Sequence, residues 1–439
     1  MEILTAAESE EQQRRIAGGL RAAGLTVGDR VALTTSSTGA MLSAILGALR
    51  IGIVPVLLNT GLLEHERAAL LADAQPQLVV DDARLAALLE GAPTELAAHP
   101  LARPMHYTSG TTGQPKGVWS GILDEAEAAA LVQEERDLWH FDPADRHLVC
   151  SPFHHSVAIR FGGGTLLAGG TVVILGKYDA AQAARAIVEH RPTTTFMVPA
   201  HLQRFFARDE LPPLDAFRLL CHAGAPCPAP LKQRAIEAFG AERVWEFYGS
   251  TEGQFSACSS AEWQAHPGTV GRARAHRHLS ADPDGVIWCE VPAYARFSYW
   301  RDPEKTASTW RPPQHEGTYG QFTVRDIGRL DDEGYLYLDG RRDDLIITGG
   351  VNAYPLEIEQ VLGALDGVRE IAVFGLVDDR WGQRICAAIV GDATPAAVMA
   401  FAAQRLAPYK RPKQVFVLDE LPHTSTGKLQ RTRLPDLLG

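Results

Sequence analysis

The sequence is short of lysine, of paired cysteines and of long apolar runs, and these shortages exclude several protein classes. No apolar run reaches the roughly 20 residues that cross a bilayer, and the acidic N-terminus does not resemble a signal peptide. The net charge of −11 argues against a nucleic-acid partner, because phosphates demand a basic surface. None of the six cysteines forms a C-x-x-C pair, which favours buried thiols in a reducing compartment over zinc ligands. A cytoplasmic enzyme without a membrane span is the expected class.

Lysine is the scarcest of the charged residues. Only seven of the 42 basic side chains are lysine, so arginine has supplied most of the positive charge. A lysine is therefore expected where a compact ammonium is needed. The seven are Lys116, Lys177, Lys232, Lys305, Lys410, Lys413 and Lys428.

The length and the hydrophobic pattern together predict the domain organisation. At about 100–200 residues per domain, 439 residues form two to four domains or subdomains. Ser9 and Gln12 form a candidate capping box for a first helix, and short apolar strands then alternate with helices, which predicts parallel sheets covered on both faces. Over 270–340 the sequence pattern changes to short β segments with Gly/Pro turns. We therefore predict an α/β fold, with a large layered domain at 1–342 and a small α+β domain at 343–439.

The strongest local signal is YTSGTTGQPKGV at 107–118. Its three glycines let the backbone turn tightly and present N–H groups to an anion, while the hydroxyls and Lys116 add donors. It is not a Walker A loop, because Gly117 follows the lysine. The alternative reading is a flexible Gly/Thr linker.

This segment looks like the phosphate-binding loop of the adenylate-forming superfamily, which includes acyl-CoA synthetases, peptide-synthetase adenylation domains and luciferases. Further blocks resemble the superfamily in the expected order, from about residue 10 to the end of the chain. They are HAGAP at 222–226, YGSTE at 248–252, Asp326, GRRDD at 340–344, TGGVNAYP at 348–355 and STGK at 425–428.

The resemblance implies a role for each block. The nucleotide site would comprise Thr108, Ser109, Gly110, Thr111, Thr112, Gly113, Lys116, Ala223, Gly224, Ala225, Pro226, Tyr248, Gly249, Ser250, Asp326 and Arg341. Thr251, Glu252, His154 and Lys428 would act in catalysis, with Glu252 also binding Mg²⁺. Asp343 would be the hinge of a mobile C-terminal domain, and Gly349, Gly350, Lys410 and Arg411 would contact coenzyme A.

Taken alone, several of these residues have ordinary structural readings. The 248–252 block also fits a strand end with a polar turn, and His154 fits a hydrogen-bonded core histidine. The cluster at 409–413 fits a solvated turn, and Lys428 fits a solvated loop lysine. Two departures from the superfamily pattern stand out: Val324-Arg325 precedes Asp326 in place of Thr-Gly, and the N-terminal subdomain is shortened.

The sequence therefore predicts an enzyme that joins a small carboxylic acid to a thiol, using ATP and Mg²⁺ to form an acyl-adenylate and coenzyme A as acceptor. An aryl or medium-chain acyl group fits the aromatic pocket segments. One alternative is the same adenylation with a free-standing carrier protein, an amine or nitrite as acceptor. Another is a nucleotide-binding regulator without turnover. A homodimer is a further expectation, because a partner could cover the shortened subdomain.

Overall fold

The computed structural model describes residues 1–108, 116–341, 344–348, 351–378, 381–423 and 429–439, without the side chains of Thr108, Arg341, Val351 and Asn352. Within this part of the chain, no helix is both long and apolar enough to cross a membrane. The predicted alternation of strands and helices is present over the first 250 residues.

A small parallel sheet forms the N-terminal layer. Its three strands run in the order Val54–Leu57, Arg30–Leu33, Leu78–Val80, with both neighbouring pairs parallel. The helix Gly39–Leu49 follows the central strand and is almost wholly buried. Strands that are apolar on both faces are typical of a sheet covered by helices, as the sequence predicts.

An eight-stranded sheet forms the second layer. Its centre is parallel, and antiparallel strands close both edges. The carboxyl ends of the parallel strands share one edge of the sheet, where ligands of open α/β sheets bind. In spatial order the strands are Glu2–Thr5, Thr171–Ile174, Arg146–Val149, Thr194–Met197, Leu219–His222, Val244–Gly249, Gln254–Ser259 and Arg272–Ala273.

Short antiparallel sheets follow, as the β-rich sequence pattern over 270–340 predicts. A four-stranded sheet has the order His278–Ala281, Ile287–Val291, Gly320–Phe322, Trp310–Arg311. A three-stranded sheet has the order Ser298–Tyr299, Lys116–Trp119, His106–Thr108, and a two-stranded sheet pairs Asp326–Leu330 with Leu336–Arg341.

The C-terminal part has its own sheet and its own core. The strand order is Val351–Ala353, Ile346–Thr348, Gly382–Gly391, Val368–Asp378, and Gln414–Val417 adds in parallel to Gly382–Gly391. The helices Pro355–Leu362 and Pro395–Arg405 contribute Ile358 and Val398 to a core that these strands line. The predicted domain boundary at 342/343 lies outside the described residues and stays a prediction.

The α-helices of the described residues before 342 are Ala6–Ala22, Gly39–Leu49, Glu64–Ala74, Asp82–Leu89, Glu125–Trp139, Ser156–Leu167, Ala180–His190, Pro199–Phe206, Ala229–Phe239, Ser260–Ala265 and Pro303–Thr309. Those after it are Pro355–Leu362, Pro395–Arg405 and Leu434–Leu438.

The predicted capping box of the first helix is wrong by one turn. The helix begins at Ala6, and Thr5 and Glu8 form the box instead of Ser9 and Gln12. Ser9 is buried, and its hydroxyl lies 3.0 Å from that of Ser43 on the helix Gly39–Leu49. Its side chain therefore joins two helices and cannot cap one.

Five histidines are wholly or partly buried in the fold and make stability depend on pH. Burial lowers the pKa of His147 to about 3, and that of His106, His154, His201 and His222 to about 4. Unfolded histidine titrates near pH 6.5, so the unfolded chain binds protons at pH 5 that the folded chain does not. Their contribution is fully present above pH 6.5 and is lost as the pH falls towards 4.

We therefore expect the free energy of unfolding, measured by urea titration, to fall steadily between pH 7 and pH 5. The slope should correspond to about one proton per buried histidine. His147→Asn should lower the slope by about one proton, whereas the same change at the exposed His65 should leave it unchanged. A stability that is flat across this window would contradict the prediction.

Candidate active site

The predicted phosphate loop is bounded by two paired strands. His106–Thr108 runs antiparallel to Lys116–Trp119, and Thr108 stands opposite Lys116. Lys116 Nζ lies 2.8 Å from Asp302 Oδ2, so the phosphate contact predicted for this lysine competes with a carboxylate. The other predicted loop residues, Ser109, Gly110, Thr111, Thr112 and Gly113, lie outside the described residues.

The predicted adenine turn follows a central strand of the large sheet. The strand Leu219–His222 is buried, and the chain emerges in the exposed turn 224–226, with Gly224 at φ 91°. Ala223 is buried, whereas Ala225 and Pro226 are exposed. The turn therefore presents its backbone at the carboxyl edge of the sheet, as an adenine-binding turn requires.

A buried ion pair anchors the helix that follows this turn. Lys232 Nζ lies 2.6 Å from Glu246 Oε2, and the lysine is 1% exposed. Lys232 belongs to the helix Ala229–Phe239, and Glu246 belongs to the neighbouring strand Val244–Gly249. The pair thus links the adenine turn to the strand that carries Tyr248 and Gly249.

The block 248–252 is a strand end followed by a tight turn, as its structural reading predicts. Ser250 N–H donates to the carbonyl of Gly253 at 2.8 Å. At Gly249 a Cβ would lie 2.9 Å from that carbonyl oxygen, which only glycine avoids. Glu252 is 7% exposed, and its Oε1 accepts the hydroxyl of Tyr299 at 2.9 Å. The turn thus holds one fixed carboxylate.

Two of the predicted nucleotide-binding residues are joined by a hydrogen bond. The Tyr248 hydroxyl donates to Asp326 Oδ2, a link that spacing in the sequence could not reveal. Asp326 is 7% exposed and begins the strand that pairs with 336–341, where it stands opposite Arg341. The backbone register therefore places the two predicted ribose-binding residues side by side.

The departure before Asp326 is accommodated by local backbone geometry. Arg325 adopts φ 65°, the left-handed conformation that glycine usually occupies. Its N–H donates to the hydroxyl of Thr323 at 2.9 Å. A threonine two residues upstream of Arg325 thus stabilises the turn. Asp326 follows directly and begins the strand Asp326–Leu330.

His154 lies where the strand Arg146–Val149 leads into the helix Ser156–Leu167. Burial lowers its pKa to about 4, so the imidazole is neutral at physiological pH. Its Nε2 has no hydrogen-bond partner among the described residues, which argues against the alternative of a hydrogen-bonded core histidine. Its backbone carbonyl accepts Nδ1–H of His106 at 3.2 Å.

A cavity of about 200 Å³ opens beside the 248–252 turn. Ser250 and Thr251 border it, and aliphatic side chains of the helix Ser156–Leu167 form one wall. Five arginines, at positions 103, 136, 160, 274 and 277, also line it, a group that sequence reasoning missed. The only sequence signal was the high arginine content, because these residues lie far apart along the chain.

The C-terminal candidates are only partly described. Lys410 Nζ is paired with the carboxylate of Glu357, and Arg411 Nε donates to the carbonyl of Leu406 at 2.8 Å. Arg431, which sequence reasoning also missed, pairs with Glu359 and lies 3.4 Å from Asp344 Oδ2. The candidates Asp343, Gly349, Gly350 and Lys428 lie outside the described residues.

Family models and curated relatives match this chain over most of its length. The family model described as AMP-binding enzyme matches residues 2–104 and 102–280, and that of the AMP-binding enzyme C-terminal domain matches residues 357–428. Long-chain-fatty-acid–CoA ligase FadD13 of Mycobacterium tuberculosis is 31% identical, with 98% of this chain and 92% of the relative covered. 2-Succinylbenzoate–CoA ligase of a Geobacillus strain is 32% identical over the same shares.

Solved structures give the same result. ATP-bound MatB from Rhodopseudomonas palustris superposes with a TM-score of 0.83 at 30% identity, covering 99% of this chain and 94% of that one. MenE from Bacillus subtilis in complex with AMP gives a TM-score of 0.82 at 26% identity, covering 98% and 92%. The predicted α/β fold class is confirmed.

Proposed function

Because this chain belongs to the AMP-binding enzyme family and is an ATP-dependent ligase of the acyl-CoA synthetase type, we propose a division of labour among its residues. The reaction forms an acyl-adenylate from a small carboxylic acid and ATP, then transfers the acyl group to coenzyme A. One observation carries the assignment. The 248–252 turn borders the cavity through Ser250 and Thr251, and it is joined to Asp326 by the hydrogen bond from Tyr248.

In adenylation, the carboxylate attacks the α-phosphorus of ATP, and pyrophosphate leaves. The turn 223–226 and Tyr248 would bind adenine, and Asp326 with Arg341 the ribose. Thr108 to Gly113 with Lys116 would hold the β- and γ-phosphates, and Gly249 to Thr251 the α-phosphate. His154, neutral because of burial, would stand at the entrance to the acid pocket without adding charge. Lys428 would bridge the acid oxygen and the phosphate, where negative charge develops.

Glu252 fits the role of magnesium ligand. Mg²⁺ typically binds one or two protein carboxylates together with substrate phosphates and water, and Glu252 offers one carboxylate held in position by Tyr299. Thr251 adds a hydroxyl from the same turn. The ion would neutralise phosphate charge as the reaction proceeds.

For thioester formation we propose that the C-terminal domain turns about Asp343. Lys428 would then leave the site, and Gly349 and Gly350 would approach it. Lys410 and Arg411 would contact the phosphates of coenzyme A, with Lys410 exchanging Glu357 for a phosphate. Closure of this kind excludes water and separates two chemistries in one site.

We expect Glu252→Gln to slow adenylation by about 10²-fold and to raise the Mg²⁺ concentration required, because the amide keeps the size of the side chain but not its charge. ATP–pyrophosphate exchange titrated with Mg²⁺ measures both effects. Tyr299→Phe is the matched control, since it removes only the hydrogen bond to Glu252 and should slow exchange by less than 10-fold. Equal losses in both variants would contradict a metal-binding role.

The proposed activity as a whole is tested by ATP–pyrophosphate exchange with a panel of acids, followed by AMP release on adding coenzyme A. ATP binding without exchange for any acid would favour a regulator without turnover. Exchange without coenzyme A-dependent AMP release would favour a carrier protein, an amine or nitrite as acceptor. We also propose a cytoplasmic location, in keeping with six free thiols, and a homodimer, which sedimentation tests.

A further inference from the structure

The cavity beside the 248–252 turn combines apolar walls with an unusual charge content. Leu46, Leu131 and Ile159 contribute aliphatic surface. Five arginines also line the cavity, although an apolar acyl group needs no cation. Buried charges persist when they are paired or when a ligand compensates them. The balance of acids and bases around the cavity therefore bears on the substrate.

Three of the arginines share two glutamates from the helix Glu125–Trp139. Arg274 lies 2.8 Å from both Glu134 and Glu135, Arg277 pairs with Glu134, and Arg160 Nε lies 3.4 Å from Glu135. The arginine charge holds the pKa of Glu135 at about 2 despite burial. The formal charges of the three arginines and two glutamates in this cluster sum to one net positive charge.

Of the other two arginines, Arg136 is exposed to solvent, and Arg103 has no carboxylate partner among the described residues. Its Nη2 donates to the carbonyl of Arg296 at 2.7 Å, and its Nη1 lies 3.4 Å from the carbonyl of Glu252. Its buried Nε has no acceptor. The guanidinium therefore has unused donors at the cavity wall.

We infer that the acid activated here is a dicarboxylic acid, with Arg103 binding the carboxylate that is not adenylated. An arginine fork matches a carboxylate in shape and charge, and a second carboxylate would compensate the net positive charge of the wall. The aliphatic side chains would pack against the carbon scaffold between the two carboxylates. This inference rests on the ligase activity proposed above and specifies its substrate.

The first test compares diacids with matched acids that lack the second charge. Succinate, adipate, phthalate and isophthalate are each assayed beside their monomethyl esters by acid-dependent ATP–pyrophosphate exchange. A site built around a hydrogen-bonding partner rejects analogues that lack it, so kcat/KM for the preferred diacid should exceed that of its ester by about 10²-fold or more. Equal or better turnover of the esters and of simple monocarboxylic acids would overturn the inference.

The second test removes the guanidinium. Arg103→Met should abolish the preference for the diacid while changing turnover of the ester by only a few-fold, and Arg67→Met, on an exposed helix position, should alter neither. Arg103→Gln keeps a donor for the Arg296 carbonyl but has no positive charge. If the charge determines the preference for the diacid, this variant should lose that preference as Arg103→Met does. Equal losses with diacid and ester would mark a structural role and overturn the inference.

A binding measurement separates this inference from the proposed activity. Without ATP, the preferred diacid should raise the melting temperature of the wild-type protein and should not raise that of Arg103→Met. ATP should stabilise both proteins equally. Exchange that fails with every acid would overturn the proposed activity, whereas exchange without diacid stabilisation in this assay would overturn only the role of Arg103.

Discussion

Replacing Lys428 with alanine will slow acyl-adenylate formation by about 10²–10³-fold, equivalent to roughly 2.7–4 kcal/mol of transition-state stabilisation. The attack brings a carboxylate against a phosphate, and negative charge accumulates on phosphorus as the new bond forms. A cation that bridges the two groups acts mainly in the transition state, so the loss should fall on kcat. ATP–pyrophosphate exchange at saturating acid and ATP measures it.

The same variant separates the two half-reactions. If the C-terminal domain withdraws Lys428 before thioester formation, Lys428→Ala will still convert supplied acyl-adenylate and coenzyme A to thioester at nearly the wild-type rate. Lys177→Ala, at an exposed position, controls for loss of a lysine elsewhere. Equal loss of both steps would refute the proposed domain movement.

Lys232→Met will lower the free energy of unfolding by about 3–5 kcal/mol, because it leaves Glu246 buried without its counter-ion. Lys232 is 1% exposed and contacts Glu246 at 2.6 Å, so water cannot replace the ammonium. Urea unfolding measures the loss. The affinity for ATP should fall as well, because the pair links the adenine turn to the strand leading to Tyr248.

A double variant tests the cause of that instability. Lys232→Met combined with Glu246→Gln removes the uncompensated charge and should recover part of the lost stability, so the two changes will not be additive. If the double variant loses the sum of the single effects, the lysine acts through packing alone. The exposed Lys177→Met provides the baseline for a lysine-to-methionine change.

The fold was largely predictable because each layer is built from local signals. Short apolar strands between helices predicted parallel sheets, and both parallel arrangements are present in the structure. The first helix cap was mispredicted because Ser9 satisfies every local rule for a cap. Its hydroxyl is instead taken by Ser43 on a neighbouring helix, which only tertiary packing decides.

The candidate site was predictable where function resides in contiguous blocks, as in Tyr248 to Glu252. It was not predictable where function depends on residues from separate elements. Arg103 and Arg277 both line the cavity, yet 173 positions separate them in the sequence, and no local pattern links them. The hydrogen bond between Tyr248 and Asp326 is of the same kind, because it joins residues 78 positions apart that belong to two different sheets.

The six thiols have a practical consequence for observing domain movement. Five of the cysteines are buried, and Cys227 is partly so; burial raises the pKa of its thiol, so little reactive thiolate forms near neutral pH. The native chain should therefore react slowly with maleimides. A fluorescent donor and acceptor pair could then be attached through Val188→Cys and Met399→Cys, both at exposed positions. Energy transfer between the two dyes would report the distance between the two parts of the chain at each catalytic stage, with little labelling of the native cysteines.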